Sequence, residues 1–290
     1  MPVFLNNVIF MLGILCEHMR ILVVGCGSIG THIVKALDEM PEFDRVYITD
    51  LSKLCAIQLV QALHNVEYVA NDDESLAAIV DEIDLAVEAA SQDAVRHFAP
   101  FFLERGVDMM VMSVGAFADD EFRERCFSLA KEHGARLYVP SGAVCGTDGL
   151  HAASAGKIYE VTLITRKGIK GMCDQSKLRE RGVVMDSLKQ ECVIFEGSAR
   201  EASTIFPRNM NVSATLAMLG VGFDDTKVRI ICDPSVESNQ HTVIVKGEFG
   251  ELRAETKNVP SPRTPSTSHL AALSALAAIR RIVGNVWIGI

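Results

Sequence analysis

Three glycines near the start of the chain have the spacing of a phosphate-binding turn. Gly25, Gly27 and Gly30 lie in the segment GCGSIG and directly follow the apolar residues 21–24. Such a run is typical of a parallel strand that is buried on both faces. The first glycine permits a tight turn, the second lets the backbone approach a pyrophosphate, and the third lets the next helix pack closely on the strand. The segment therefore predicts a dinucleotide-binding turn.

The predicted helix after this turn completes the phosphate site. Ser28 and Ile29 open the helix, and Ile29, Ile33, Leu37 and Met40 recur at helical intervals on one side. The free N–H groups and the positive dipole end at a helix N-terminus favour a bound pyrophosphate. We therefore predict cofactor contacts from Ser28 and Ile29.

Asp50 indicates which dinucleotide binds. It ends a second strand-like run and lies twenty residues after Gly30, where a carboxylate accepts hydrogen bonds from the adenosine ribose hydroxyls. A carboxylate there repels a 2′-phosphate, so the sequence predicts NAD rather than NADP. Ser52 and Lys53 could accommodate a phosphate and leave NADP open. The alternative without function is a tight turn followed by a surface aspartate.

The order of elements predicts an α/β protein with two unlike sheets. Strand and helix signals alternate up to about residue 140, as in a doubly wound parallel sheet of the Rossmann type. Small residues at 88–91, 113–116 and 141–143 follow predicted strands and would keep a cofactor groove open, with Ala90 as a further contact. After about residue 150, strand-like runs with few helices predict an α+β domain with a mostly antiparallel sheet.

This pattern divides the chain into three parts. Residues 19–142 form the predicted dinucleotide-binding domain, which a C-terminal helix over 266–290 completes, capped by Ser266 or Thr267. Residues 143–265 form the predicted catalytic and dimerisation domain. Residues 1–18 are interpreted as an extension, either because Met19 is the true start or because they form an extra interface helix. Their apolar stretch at 8–16 is too short to span a bilayer.

Composition excludes several classes of partner. At 290 residues and 49% hydrophobic content, the chain can bury a full core. The net charge of −9 argues against nucleic acid and against an anionic membrane surface, although a locally basic pocket could still bind an anionic substrate. The eight cysteines include no C-x-x-C pair. We therefore expect no metal site, no disulfide framework and a cytoplasmic protein with reduced thiols.

Short segments along the chain resemble the L-aspartate dehydrogenase family. The likeness runs from about Met19 to the C-terminus and rests on GCGSIG, SVGA (113–116), PSGAVCG (140–146), TRKG (165–168), FEGSAREA (195–202), PRNMNVSATL (207–216), DPSVESNQH (233–241) and TSHLAALSAL (267–276). The resemblance implies NAD(P)-dependent oxidation of L-aspartate to iminoaspartate, which hydrolyses to oxaloacetate and ammonia, or the reverse amination. It also implies a homodimer whose interface is the sheet of the second domain.

The resemblance also implies roles for three residues. It places a catalytic histidine at His241 and cofactor contacts at Ala143 and Asn211. Hydride transfer from the α-carbon of an amino acid requires a neutral amine, and an imidazole with an ordinary pKa near 6.5 can take the amine proton. Its position alone favours a structural role for His241, as a histidine at the start of a strand, over a catalytic one. The resemblance favours catalysis.

Two basic residues are predicted to bind the substrate. A dicarboxylic amino acid needs cations or other donors, and Arg166 and Lys167 lie in the family-like TRKG segment. Arg200 and Arg208 are weaker choices. For each of them the alternative is a solvated surface charge.

Two other functions remain open at this point. One is a neighbouring enzyme of the same two-domain plan, resembling homoserine dehydrogenase or dihydrodipicolinate reductase; the latter typically has paired histidines, which this chain lacks. The other is an NAD-binding sensor without catalysis. The working direction is also open: it could feed iminoaspartate into NAD synthesis, degrade aspartate or form it.

Overall fold

A parallel sheet forms the first half of the chain in the computed structural model, which describes residues 19–172, 179, 188–206 and 210–289. Six strands run in the order β3-β2-β1-β4-β5-β6. Their bounds are β1 Met19–Val24, β2 Phe43–Thr49, β3 Val66–Tyr68, β4 Leu85–Glu88, β5 Asp108–Val111 and β6 Leu137–Tyr138. The predicted doubly wound sheet is confirmed. The predicted extension over residues 1–18 lies outside the described residues.

Helices cover both faces of this sheet. Their bounds are α1 Ser28–Asp38, α2 Lys53–Val60, α3 Asp73–Ala77, α4 Gln92–Leu103 and α5 Asp120–His133. Ile21 and Val23 of β1 pack in the cluster that contains α1 and α2, whereas Leu22 and Val24 pack with the buried residues of α4 and α5. Because successive side chains of a strand point to opposite faces, a strand covered on both sides must be apolar throughout.

A second sheet follows α6 Thr147–Ala153. Its five strands run in the order β11-β10-β7-β9-β8, with bounds β7 Ile158–Lys167, β8 Cys192–Ser198, β9 Lys227–Cys232, β10 Asn239–Gly247 and β11 Gly250–Asn258. Only β7 and β9 pair in parallel. The predicted α+β domain with a mostly antiparallel sheet is therefore confirmed.

Every second side chain of β7 and of β10 faces the buried side of this sheet. Val161 and Leu163 of β7 and Val243 and Val245 of β10 pack against Leu216 and its neighbours, in the layer formed by α6, α7 Ala199–Ile205 and α8 Asn211–Leu219. Continuing this row by steps of two places Thr165 and Lys167 of β7, and His241 of β10, on the same side.

The last helix, α9 His269–Val283, returns to the first domain. Ala275, Leu276 and Ile279 pack in the same cluster as Ile33 and Leu37 of α1. The helix begins later than predicted, because residues 260 and 268 form a bridge and the Ser261 N–H donates to Thr267 O. Ser268 is therefore the N-cap, rather than Ser266 or Thr267, and its side chain makes no capping hydrogen bond. None of the described helices is long and apolar enough to cross a membrane.

We expect Gly30→Ala to destabilise the fold where Gly27→Ala does not. A Cβ on Gly30 would lie 1.9 Å from Gly25 O, a backbone atom that cannot move aside, whereas the nearest atom to a Cβ on Gly27 is Ala89 O at 4.0 Å. Gly30→Ala should lower the free energy of unfolding by about 2 kcal/mol. Gly27→Ala should cost less than about 1 kcal/mol, the effect of alanine at an N-cap. Urea denaturation of both variants checks this; equal losses would contradict it.

Candidate active site

The glycine turn is shaped to accept a phosphate group. Gly25 has a φ of 109°, and a Cβ there would lie 2.8 Å from Ala89 O, so only glycine fits this turn. Gly27 is the N-cap of α1 and has no side chain to bond the first N–H groups of the helix. These groups are the donors that a pyrophosphate needs. The residues present therefore fit a dinucleotide.

Asp50 lies directly behind this turn. Its Oδ2 accepts from the N–H of Cys26 at 2.6 Å and its Oδ1 accepts from the N–H of Ser52 at 2.7 Å. Each carboxylate oxygen has further lone pairs that can accept hydrogen bonds from a ligand. Burial, and secondly the charge of Asp50, raise the pKa of the Cys26 thiol to about 12. Cys26 is therefore a protonated small side chain and not a nucleophile.

Glu88 is a buried carboxylate that the sequence reasoning missed. It ends β4 with 0% exposure and accepts from the N–H of Ala90 at 2.8 Å. It also accepts from the N–H and the hydroxyl of Ser113, at 2.9 and 2.8 Å. Burial raises the pKa of Glu88, while these hydrogen bonds act in the opposite direction. The sequence pattern that could have revealed Glu88 is an acidic residue that ends an apolar strand and precedes a run of small residues.

Glu88 positions two loops beside the groove. Ala90 lies in one of them, and a Cβ on Gly25 would meet its side chain at 2.9 Å. Ser113 begins the other loop, in which the N–H of Gly115 donates to Asn211 Oδ1 at 3.2 Å. Among the described residues, the Oδ1 of Asn211 is thus occupied by Gly115, and its Nδ2 group is the donor that can face a ligand.

Ala143 presents its backbone to the same groove. Its carbonyl oxygen accepts from the Nδ2 of Asn258 at 2.7 Å and from the hydroxyl of Thr256 at 3.1 Å. These two side chains come from β11, so the second sheet fixes the position of residue 143. The prediction that Ala143 makes close backbone contact with the cofactor stays a prediction.

His241 lies on β10 opposite Thr165 of β7. The residue is only 3% exposed, and Nδ1 of its ring lies 3.0 Å from the hydroxyl oxygen of Thr165. Burial, and secondly the positive charge of Lys167, lower the pKa of His241 to about 3. The imidazole is therefore neutral at neutral pH, the form that can accept a proton.

Of the two predicted substrate cations, the structure brings only Lys167 to His241. Lys167 is 4% exposed, and its ammonium donates to the carbonyl oxygen of Ser266 at 3.0 Å. Arg166 points to the opposite face of the sheet, because neighbouring residues of a strand alternate. Its guanidinium pairs there with Asp233 at 2.6 Å and with Glu191.

Neither of the two weaker choices is among the described residues that line the cleft. Arg200 pairs with Asp120 and Asp224 away from the cleft. Arg208 lies outside the described residues.

A cleft of about 100 Å³ joins the two domains at this point. Its lining includes five predicted site residues: Ile29, Ala143, Lys167, Asn211 and His241. Lys167 is the one cationic side chain among the described residues that line it. The other predicted contacts, Gly25, Gly27, Ser28, Gly30, Asp50 and Ala90, belong to the glycine turn and its neighbouring strand ends. The described residues hold no cluster of histidine, cysteine or carboxylate side chains suited to a metal ion.

The fold and the site together define a two-domain, NAD-binding oxidoreductase. Residues 25–140 match the family model described as homoserine dehydrogenase, NAD binding domain. Residues 148–282 match the one described as aspartate dehydrogenase, C-terminal.

Similar proteins identify the family. An L-aspartate dehydrogenase of Methanosarcina acetivorans is 44% identical over 93% of this chain and 99% of its own length. An L-aspartate dehydrogenase 2 of Bordetella bronchiseptica is 36% identical over 93% of this chain and 99% of its own length. The crystal structure of the Thermotoga maritima aspartate dehydrogenase superposes with a TM-score of 0.72 at 29% identity, covering 94% of this chain and all of that one. The chain belongs to the L-aspartate dehydrogenase family.

The buried neutral state of His241 predicts a specific loss of stability in acid. Its folded pKa, about 3, lies below the unfolded value near 6.5, so the unfolded chain binds more protons between these values and stability falls as pH drops below 6.5. Between pH 7 and pH 5, His241 alone should remove about 2 kcal/mol.

Urea denaturation at both pH values tests this prediction. The His241→Asn variant should lose about 2 kcal/mol less than the unsubstituted chain over the same interval. His133→Asn, at an exposed position at the end of α5, serves as the matched control and should follow the unsubstituted chain. If the pH dependence of His241→Asn equals that of the control, the imidazole is not buried in its neutral form.

Proposed function

We propose that this chain catalyses the reversible NAD(P)-dependent oxidation of L-aspartate to iminoaspartate, which water converts to oxaloacetate and ammonia. One observation carries the proposal: a neutral buried imidazole, His241, and a buried ammonium, Lys167, line the same cleft. Ile29 of the dinucleotide turn lines that cleft as well. A base, a cation for a carboxylate and a hydride acceptor are the three groups that this oxidation needs. The names of the similar proteins agree with it.

His241 would act as the base toward the substrate nitrogen. The α-carbon releases hydride only when its nitrogen is a neutral amine whose lone pair can form the C=N bond. In the tautomer suited to this role, the Nδ1–H of His241 donates to Thr165 and the lone pair of Nε2 faces the cleft. His241 takes one ammonium proton before hydride transfer. The same nitrogen can later orient the water that attacks the imine.

Lys167 would bind one substrate carboxylate and adjust the strength of this base. Its charge lowers the pKa of His241 in the empty cleft. A carboxylate that pairs with the ammonium offsets this charge, so the pKa of His241 should rise when the dianionic substrate binds. The base would then be weak without substrate and stronger with it.

The glycine turn and the loops beside it would hold the cofactor. Gly25, Gly27, Ser28 and Gly30 surround the pyrophosphate, and Asp50 accepts from the adenosine ribose. Ala90, Ala143 and Asn211 flank the nicotinamide ring, which accepts the hydride when the cofactor is bound. Asp50 supports NAD as the preferred form.

A cytoplasmic homodimer completes the proposal. The face of the second sheet that carries Arg166 also carries Ile164 and Ile244, which are half-buried within the single chain. Pairing this face with that of a second copy would bury their remaining apolar surface. The six cysteines among the described residues are free thiols, which agrees with a reducing compartment. Light scattering of the purified protein tests the assembly.

NADH absorbance gives the direct test of the proposed reaction. Purified protein should reduce NAD(P) with L-aspartate, and not with glutamate or homoserine, and should oxidise NADH with oxaloacetate plus ammonium. His241→Asn should lower kcat roughly 10²- to 10⁴-fold, the usual contribution of a positioned base, while NADH binding is retained. Turnover with homoserine alone would favour the neighbouring enzyme class. Measurable NADH binding with no turnover on any of these substrates would favour a sensor.

Lys167→Met should weaken substrate binding selectively. Loss of a charged hydrogen bond to a carboxylate should raise the KM for L-aspartate roughly 10- to 100-fold. The KM for NAD should change less than about twofold, because Lys167 is not among the residues proposed to contact the dinucleotide. Arg166→Gln is the matched comparison: its guanidinium faces away from the cleft, so the KM for L-aspartate should stay near that of the unsubstituted chain. A larger effect at Arg166 than at Lys167 would reverse the assignment.

A further inference from the structure

Residues 259–268, here called the strap, cross from the second sheet to the glycine turn. Near one end, the ammonium of Lys167 donates to Ser266 O at 3.0 Å and the amide of Asn239 donates to Pro265 O at 3.1 Å. Toward the other end, the hydroxyl of Ser261 makes a hydrogen bond with that of Ser28, the first residue of α1. The strap is therefore fixed to both halves of the cleft.

Arg263 is the cation that the strap brings to the glycine turn. Its side chain is exposed, and Nη1 donates to the hydroxyl of Thr31 at 2.9 Å. That hydroxyl in turn donates to the carbonyl oxygen of Cys26 at 2.9 Å. The guanidinium is thus separated by one hydroxyl group from the backbone of the turn that receives the pyrophosphate.

The remaining donors of Arg263 are suited to a phosphate. A guanidinium has five N–H donors in a planar fork that matches two phosphate oxygens. Among the described residues, no ion pair joins Arg263 to a carboxylate, unlike Arg166 and Arg200, which are held by two acidic residues each. In a chain with a net charge of −9, a cation held at this turn favours an anionic ligand there.

We propose that Arg263 binds the pyrophosphate of the dinucleotide, reaching it across the domain boundary on the strap. The hydrogen bond to Thr31 holds the guanidinium beside the turn, and a bound pyrophosphate accepts from the donors that this bond does not use. Because Ser266 O of the strap also accepts from Lys167, one short segment carries the group that meets the cofactor and contacts the group that would meet the substrate. The proposal rests on the proposed function only in taking the glycine turn as the dinucleotide site.

ADP-ribose binding measures this contact without turnover. Calorimetric titration of the full chain at low ionic strength should show that Arg263→Met weakens ADP-ribose, NADH and NADPH by a similar factor, roughly fivefold to tenfold. Arg263→Lys should retain part of the affinity. Arg105→Met, which removes an exposed guanidinium bonded to Phe101 O just after α4, should bind like the unsubstituted chain.

Salt separates a charge contact from a purely structural role of the strap. ADP-ribose affinity of the unsubstituted chain should fall more steeply with added salt than that of Arg263→Met, because only the former loses a screened charge pair. Equal salt dependence, or unchanged ADP-ribose affinity in Arg263→Met, would overturn the proposal. A loss confined to NADPH would overturn it in favour of a contact with the 2′-phosphate. If the unsubstituted chain binds neither ADP-ribose nor NADH, the dinucleotide site fails together with the proposed function.

Discussion

Lys167 and His241 lie on neighbouring strands with both side chains in the same buried row. Burial disfavours the charged form of an imidazole, and a buried ammonium beside it disfavours that form further. Burial, and secondly the charge of Lys167, lower the pKa of His241 to about 3, and the Lys167 ammonium donates to the strap. A neutral imidazole beside a buried ammonium follows from this one electrostatic constraint. The two-residue period of β7 also excludes Arg166 from the cleft, although it is adjacent in sequence.

The cleft depends on connections that cross between the domains. The strap links Lys167 and Asn239 on one side to Ser28 and Thr31 on the other. Helix α9 then packs on α1, so the chain closes on the domain with which it began. An enzyme that moves hydride between two bound molecules must hold them at a fixed separation. Here the strap fixes this separation and also supplies polar groups to both sides of the cleft.

Two carboxylates organise the backbone of the cofactor groove. Asp50 accepts from N–H groups of the glycine turn and of the start of α2, and Glu88 accepts from the two loops that follow β4 and β5. Each satisfies N–H groups that tight loops leave without a helical or strand partner. Part of the acidic character of this chain therefore has a structural use beside a site that binds an anionic cofactor. Arg263, which donates to Thr31 of α1, brings a positive charge to the same turn.

The sequence by itself determined the glycine turn, the doubly wound sheet, the α+β second domain and the family. These depend on short-range patterns: the spacing of Gly25, Gly27 and Gly30, the run of apolar residues before them, and family-like segments such as TRKG. It did not decide between Arg166 and Lys167 or reveal Glu88, and it began the last helix too early. Only the tertiary structure decided these points, because they depend on partners far along the chain: His241 is 76 residues from Thr165, and Lys167 is 99 residues from Ser266. Such pairs follow from strand order and from how the domains close, and no local pattern encodes either.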